Sequence, residues 1–463
     1  MPIFLFHASC DRHSGVSEIL SSYQILPRSR SIQQISNTSL IIIAFSVAFY
    51  ARIITSLTPI PAALNHAHLI LVPAASLAVL MTARTVNEKQ IRTTWALLGG
   101  LFCLMTISLA SALLNNAGMV NAVFLFLMLG EPFLLLAAII ALPLSKKNVW
   151  RLRQWVIGSS FVNMVAALIQ WPLINAGLLW ANGFDATDGM AGVFFVSGAG
   201  NYVSATVSLY FAFYYFTAKG APLWQKLLIF CGAALQFQLA DAKQVLLAFF
   251  LGWVMLALFN LRDIRKFLIQ IVTIALTTAL IVWCIHNVEI FSAFKNYADK
   301  QGAYGAGGAA TQIKLAPFSV IPTYYESVLN WFLGLGPGHT VGRLGGWLLW
   351  ENWNVLSPLG ATVHSVSGEL WTMVYDNWIA VESTLFSPFF GWAGIWGDLG
   401  LLGIGAYLFL GIVVLKDICV TSFCRFLVLS VAAFGLIFTQ MEEPGFMLYC
   451  ATILGIQWHE QSQ

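Results

Sequence analysis

The sequence predicts an all-α fold, a polytopic membrane protein with about twelve transmembrane helices and one large extracytoplasmic loop. Composition is the first reason, since 59% of the 463 residues are hydrophobic and only 9% are charged, against about 25% in soluble domains. The second reason is that apolar runs long enough to cross a bilayer recur along the chain. The third is that one long stretch, residues 287–390, interrupts this pattern with polar and glycine-rich sequence.

Hydropathy divides the chain into four parts. Residues 1–38 are expected to form a cytoplasmic tail, because they are mixed in polarity and show no signal-peptide cleavage pattern. Residues 39–286 carry nine predicted transmembrane helices, residues 287–390 form the large loop, and residues 391–463 carry three more helices and a short tail. The predicted spans lie near residues 39–57, 68–83, 93–113, 120–143, 154–175, 200–218, 226–240, 243–260, 266–286, 391–415, 425–441 and 444–458.

The positions of the basic residues predict the orientation. Short loops rich in Lys and Arg stay in the cytoplasm, and most of the 23 basic residues lie in the tail and in alternate connections, such as 84–92. The connections near 58–67, 114–119, 176–199 and 442–444 carry none. Both termini are therefore predicted to be cytoplasmic and the large loop to lie outside. The net charge of +3 is too small to indicate a nucleic-acid partner.

The seven cysteines give no reason to expect a disulfide framework or a metal site. None lies in the large loop, and the sequence has no Cys-X-X-Cys motif or Cys/His cluster. Scattered cysteines in membrane helices most often pack as small hydrophobic residues. We therefore predict neither a metal nor another cofactor.

Side chains suited to chemistry are concentrated in the loop. The glycine-rich turn at residues 334–338 is followed by His339 and then by Arg343, which share one face if a helix begins there. Arginine has a planar fork of donors that suits a diphosphate, and a histidine can take the proton of an attacking hydroxyl. His364 is a second candidate base, with Glu369 as its orienting partner. The alternative interpretation is that these are ordinary solvated loop residues.

Ionisable residues within or at the edge of a bilayer are costly and are functional candidates by default. Asp241 and Lys243 lie in the turn of a short helix pair, where a substrate contact and a local ion pair are both open interpretations. Helix kinking at the following proline better explains Glu131, and snorkelling to the interface better explains Arg52. Asp398 is the fifth such residue.

A glycine-rich entry to the sixth span, residues 197–202, is a candidate anion site. Glycines at the start of a helix leave backbone N–H groups exposed, and the helix dipole favours negative charge there. Asn201 lies within this entry and is a candidate substrate contact. Close packing between helices is the alternative explanation of the glycines.

Six tryptophans and a glycine-rich segment complete the loop. We expect residues 326–356 to form amphipathic helices on the outer face and residues 302–310 to form a flexible linker. Interfacial anchoring explains most of the tryptophans, and stacking on sugar rings is the alternative for one or two. The tryptophans are Trp331, Trp347, Trp350, Trp353, Trp371 and Trp378.

Four features, in this order along residues 190–410, resemble the O-antigen polymerase and O-antigen ligase superfamily of bacterial envelope enzymes. They are the span entry Gly198-Ala-Gly200-Asn201-Tyr202, the helix pair Leu239-Ala-Asp241-Ala-Lys243-Gln244, the loop motif Gly334-Leu-Gly336-Pro337-Gly338, and Trp396-Gly-Asp398-Leu-Gly400-Leu-Leu-Gly403. The resemblance implies a GT-C-like, metal-independent glycosyltransferase of the bacterial cytoplasmic membrane. Such enzymes transfer a glycan from an undecaprenyl-diphosphate carrier to an acceptor hydroxyl of a glycan or lipid on the outer face, together with other polysaccharide assembly proteins.

The resemblance also implies roles for residues. Arg343 and Lys243, with Asp241 and Asn201 beside the helix pair, would contact the donor, and His339 or His364 would be the base. Asp376 begins the Asp-Asn-Trp run that stands where the family has a His-Asn pair, and is a further candidate substrate contact. The family commonly has arginine where this chain has Lys243, and its ligases have more loop arginines. These departures favour a polymerase-like or divergent member over a true ligase.

Functions of other classes remain open at this point. A transporter or flippase suits twelve spans with both termini inside, although such proteins often show two similar halves that this sequence lacks. A peptidoglycan-type polymerase also has a large outer loop. A non-catalytic partner in a glycan export system is the fourth interpretation.

Overall fold

The computed structural model describes residues 36–85, 87–179, 187–195, 199–217, 220–261, 263–288, 303, 305, 307–382 and 384–462. Within these ranges the chain is helical and contains no strand, which confirms the predicted all-α class. The helices are α1 Asn37–Leu57, α2 His68–Thr82, α3 Glu88–Leu114, α4 Met119–Ala141, α5 Lys146–Asn175, α6 Gly200–Thr217, α7 Leu223–Leu239, α8 Lys243–Phe259, α9 Ile264–Asn287, α10 Ala309–Val320, α11 Leu329–Leu333, α12 Leu349–Glu351, α13 Trp353–Leu356, α14 Ser365–Tyr375, α15 Trp378–Glu382, α16 Gly391–Val413, α17 Ser422–Phe434 and α18 Pro444–Ser462.

Each of the twelve predicted spans overlaps one of these helices, α1–α9 or α16–α18. Seven helical stretches in the described ranges are long and apolar enough to cross a membrane, and α8 and α17 are shorter apolar helices. The chain is therefore a multi-pass membrane protein, and the count of twelve spans stays a prediction. The seven stretches are Asn37–Leu57, Leu64–Thr82, Glu88–Leu114, Met119–Ala141, Lys146–Asn175, Phe267–Cys284 and Gly391–Ile418.

Helix α4 lies at the centre of the bundle. Of the seven stretches it is the most enclosed, with 72% of its most apolar window buried, and it packs against α2, α3 and α18. Large apolar side chains on the surrounding helices point outward, among them Ile70, Met81 and Phe102. An exposed apolar surface of this extent requires a non-aqueous surrounding, which here is the lipid.

Three expectations about individual segments are wrong. The span predicted at 425–441 ends as a helix at Phe434, and residues 435–443 form a turn and a short 3₁₀ helix, Gln440–Glu442. The flexible linker predicted at 302–310 gives way at Ala309 to the first turn of α10, while residues 302, 304 and 306 lie outside the described residues. The predicted surface helices are short, and residues 335–346 between them are buried in the protein.

Two of the loop tryptophans pack inside the protein instead of anchoring it. Trp371 stacks on Phe389 with ring centroids 4.5 Å apart and donates its indole N–H to the carbonyl of Gly346 at 2.6 Å. Trp347 packs against both large hydrophobic clusters. Trp331, Trp350 and Trp378 are exposed. These three remain suited to interfacial anchoring or to sugar stacking.

Candidate functional site

The glycine-rich turn at 334–340 is anchored on α16 by Asp398. One carboxylate oxygen of Asp398 accepts from the Thr340 backbone N–H at 2.9 Å and from its hydroxyl at 2.6 Å, and the other accepts from the N–H of Gly338 at 2.9 Å. Gly334 has φ +71°, and a Cβ there would lie 2.4 Å from the carbonyl oxygen of Gly397. Glycine is therefore required where the turn meets α16. The loop motif and the motif around Asp398 form one structural unit.

The end of the α3–α4 hairpin supports this unit from the other side. The Ser111 hydroxyl lies 2.5 Å from the carbonyl oxygen of Leu333 and 2.8 Å from that of Asp398. The Asn121 amide donates to the carbonyls of Pro337 at 2.9 Å and Thr362 at 2.8 Å. Sequence reasoning missed both polar residues, because a single Ser or Asn at the end of an apolar run carries no specific signal.

His339 is buried, and both ring nitrogens are engaged. Nδ1 lies 2.8 Å from the carbonyl oxygen of Leu335 and must donate to it, so Nε2 accepts from the Thr362 hydroxyl at 2.8 Å. The hydroxyl oxygen itself accepts from the N–H of Gly118 at 2.9 Å, which is consistent with this tautomer. Burial lowers the pKa of His339 to about 4. The imidazole is therefore neutral and can act as a base only if Thr362 releases Nε2.

His364 and Glu369 lie at the more open edge of the loop, linked by Tyr324. The His364 ring is half-buried between the rings of His339 and Tyr324, at centroid distances of 5.5 and 5.3 Å. Its Nδ1 caps α14 by accepting from the N–H of Val366 at 3.3 Å, and burial lowers its pKa. Glu369 is exposed and accepts from the Tyr324 hydroxyl at 2.6 Å. The predicted orienting partner of His364 is thus engaged by tyrosine.

Arg343 lies in a small pocket lined by charged side chains beneath the loop, which we call the charged pocket. Its guanidinium forms an ion pair with Glu443, its backbone N–H donates to Glu442 at 2.7 Å, and its exposed fraction is only 7%. The cavity measures about 20 Å³, room for about one water molecule. Its polar lining residues are Arg52, Asn65, His66, His68, Arg343, Glu442 and Glu443.

Burial displaces the titration of Glu442 and of Arg343. It raises the pKa of Glu442 to about 8, a rise that the backbone N–H of Arg343 opposes and the charge of Asp398 reinforces. It lowers the pKa of Arg343 to about 9, with a further decrease from the charge of Arg52. At neutral pH Arg343 is therefore charged and Glu442 is largely protonated, and the ion pair of the Arg343 guanidinium is with Glu443.

A buried histidine and a carboxylate meet at the inner end of the charged pocket. Nδ1 of His68 lies 2.8 Å from Oε2 of Glu131, and the exposed fractions of the two residues are 4% and 2%. Glu131 is twelve residues into α4, roughly 18 Å from the start of that helix, at the level where α2 begins. The sequence interpretation of Glu131 as a kink residue missed its pairing with His68. Arg52, predicted to snorkel, lines the same pocket.

The other predicted contacts lie elsewhere. Asn201 is buried and donates to the carbonyl of Ala240 at 3.1 Å and to Asp188 at 3.1 Å, which fixes the turn between α7 and α8. In that turn Lys243 forms an ion pair with Asp241, whose φ is +48°. Asp376 is exposed at the end of α14. None of these four residues lines the charged pocket, and Ser197 and Gly198 lie outside the described residues.

The sequence analysis also overlooked Glu442, Glu443, His66 and His68. Residues 58–67 and 442–444 were predicted only to be outer connections that carry no basic residue. Glu442 and Glu443 could have been recognised from the sequence, because they are two consecutive carboxylates between apolar helices in a chain with only 9% charged residues. An ionisable group in such surroundings is costly and is therefore a functional candidate. His66 and His68 flank the start of α2 in the same way.

An apolar cleft adjoins the charged pocket. It lies between α4, α16, α17 and α18, measures about 190 Å³, and has an almost wholly apolar wall that includes Phe133, Tyr407 and Leu427. Met441 lines the cleft, and the next residue, Glu442, lines the charged pocket. A cationic, acid–base-competent pocket therefore borders an apolar one.

Comparison of the chain with models of known families, with curated proteins and with solved structures finds no match.

Proposed function

We propose that this protein is a glycosyltransferase that polymerises or ligates envelope or exported polysaccharide. It would transfer a glycan from an undecaprenyl-diphosphate-linked donor to an acceptor hydroxyl at the outer face of the bacterial cytoplasmic membrane. The observation that carries the proposal is the junction of the charged pocket and the apolar cleft at residues 441–444. A lipid diphosphate has the same division into an anionic head and an apolar chain.

The diphosphate would be held by the two arginines of the charged pocket. Arg343 and Arg52 both line it, and bidentate guanidinium–phosphate contacts are strong and directional. The cavity of about 20 Å³ admits a diphosphate only after the Arg343–Glu443 pair separates. Glu443 thus holds the arginine in place until the donor replaces it. The same positive charges would stabilise the diphosphate as it leaves.

The acceptor glycan would approach over the loop. His364, Tyr324 and Glu369 form a hydrogen-bonding and aromatic edge there, and Trp331 and Trp350 are exposed. Aromatic faces beside polar groups suit sugar rings. Lys243, Asp241, Asn201 and Asp376 would contact more distant parts of a long donor or acceptor.

The test uses purified, detergent-solubilised protein, a lipid-diphosphate-linked oligosaccharide and product sizing on a gel. Wild-type protein should yield a ladder of extended glycan if it is a polymerase, or a glycan on a second lipid if it is a ligase. Arg343→Lys should lower kcat/KM at least about 100-fold, because lysine lacks the bidentate fork. Arg153→Lys, at an arginine paired with Glu460 outside the charged pocket, should match wild type. Full transfer by Arg343→Lys would contradict the role of Arg343.

A transporter or flippase of lipid-linked glycan is the second candidate, and the buried His68–Glu131 pair favours it. Ionisable pairs inside a helix bundle commonly mark coupled transport. Reconstitution into proteoliposomes separates the two functions. Movement of the donor between leaflets without any glycosidic product would establish the transporter, and product formation on one face would establish the transferase.

A further inference from the structure

His68, one of the two histidines that line the charged pocket, is arranged as an oriented base. Nδ1 of His68 and Oε2 of Glu131 are 2.8 Å apart, a distance at which a carboxylate accepts from the N–H. This hydrogen bond fixes the tautomer and leaves the lone pair of Nε2 available, on a side chain that lines the pocket. A carboxylate behind a histidine serves in this way wherever the pair removes a proton from a hydroxyl.

The pair has features that packing alone does not require. Oε1 of Glu131 is buried without a hydrogen-bond partner, and leaving a buried polar atom unsatisfied destabilises the fold. A chain that needed only apolar packing at this depth would gain stability from apolar side chains of similar volume. The two residues also come from different helices, α2 and α4, so their meeting does not follow from local geometry.

We infer that His68 is the general base of the proposed transfer and that Glu131 is its positioning residue. The inference rests on the proposed function and names a residue for its proton transfer. Nε2 of His68 would take the proton of the acceptor hydroxyl as the oxygen forms its bond to the anomeric carbon. The bond from that carbon to the diphosphate oxygen breaks, and its electron pair leaves with the lipid diphosphate between Arg52 and Arg343. The imidazolium then returns its proton to the diphosphate or to water.

Four other ionisable groups in or near the charged pocket are less suited to this step. His339 donates through Nδ1 and accepts through Nε2 already. Glu442 carries a proton at neutral pH because burial raises its pKa to about 8. Glu443 is paired with Arg343. His364 lies at the loop edge and does not line the pocket.

The experiment compares initial rates of glycan transfer by wild type, His68→Ala and Glu131→Gln over a range of donor concentrations. Removal of a general base typically lowers the rate by about 10²–10⁴-fold, and here kcat should fall by this factor while KM for the donor stays within about threefold. Added imidazole should restore at least a tenth of the lost kcat in His68→Ala. Glu131→Gln retains a hydrogen-bond acceptor for Nδ1, and its kcat should still fall.

His459→Gln is the control. His459 is equally buried, lies 2.9 Å through Nε2 from the carbonyl oxygen of Ile139 and does not line the charged pocket, so this variant should keep the wild-type rate. Thermal unfolding of each variant separates misfolding from lost chemistry, and Glu131→Gln decides the case if His68→Ala does not fold. Wild-type kcat in a folded His68 or Glu131 variant, or a loss in folded His68→Ala that imidazole does not reverse, would overturn the inference and leave the proposed function intact. A wild-type protein that forms no product would overturn both.

Discussion

Single buried charges govern how this protein should respond to pH, and Glu442 is the clearest case. Burial raises its pKa from 4.5 to about 8, so the folded state binds this proton more tightly than the unfolded state does. The stability contributed by protonated Glu442 is complete below about pH 4.5 and is lost as pH rises through about 8. Glu442→Gln, which is never ionised, should remove this loss.

The measurement is thermal unfolding of wild type and Glu442→Gln between about pH 5 and pH 9. Their difference in unfolding free energy should grow with pH, in favour of the variant, to at most about 4 kcal/mol. Lys314 has the opposite dependence on pH from Glu442. Burial lowers its pKa to about 7, so its contribution to the unfolding free energy rises as pH increases above that value. Both proteins retain Lys314, so it cancels from the comparison. Parallel curves would show that Glu442 does not titrate in this window.

The site residues show why residue-level prediction was partial. Arg343, His339 and His364 stood out because few ionisable residues occur in this sequence, and the structure does place Arg343 in the charged pocket. Their partners are distant in sequence: Glu443 lies 100 positions after Arg343, and Glu131 lies 63 positions after His68. Hydropathy and motif spacing report local structure, so they do not reveal which helix ends meet.

At the scale of elements, helix α16 departs from regular geometry where it meets the loop. Gly400 has φ +64° inside the helix, and a Cβ there would lie 2.4 Å from the backbone of Phe332. Gly400→Ala should therefore lower the unfolding free energy by at least about 2 kcal/mol. Gly405→Ala, in the same helix with open space around its Cα, should be neutral or stabilising by up to about 1 kcal/mol. Thermal unfolding of the two variants checks this prediction. Equal changes in unfolding free energy for Gly400→Ala and Gly405→Ala would show that the backbone at Gly400 does not require glycine.

Helix positions were predictable because an apolar run of bilayer length has few alternatives to a helix. The loop was not predictable in the same way. Residues 333–340 are held by Asp398, about 60 positions later, and by Ser111 and Asn121, more than 200 positions earlier. A pattern of tryptophans and glycines contains no information about these contacts. Residues 335–346, in the middle of the expected surface helices, therefore proved to be buried.

At the scale of the whole molecule, the proposed transfer at the outer face depends on the orientation of the bundle. The predicted outer connections, at 58–67 and 442–444, contribute His66 and Glu442 to the charged pocket. The loop contributes Arg343 to the same pocket. All three segments thus lie at one end of the bundle, as the distribution of basic residues predicts. Two positions on opposite sides of the membrane are then enough to test the orientation.

The final prediction is that a membrane-impermeant maleimide labels Glu369→Cys, at the exposed edge of the loop, in intact cells. Lys416→Cys, exposed beyond α16, should be labelled only after the cells are permeabilised, because the positive-inside rule places Lys416 in the cytoplasm. Both substitutions are made in a variant whose seven native cysteines are replaced, and that variant alone is the control for background labelling. The reverse pattern would place the charged pocket on the cytoplasmic side. Transfer to an acceptor at the outer face would then be excluded, whatever the chemistry of His68 and Arg343.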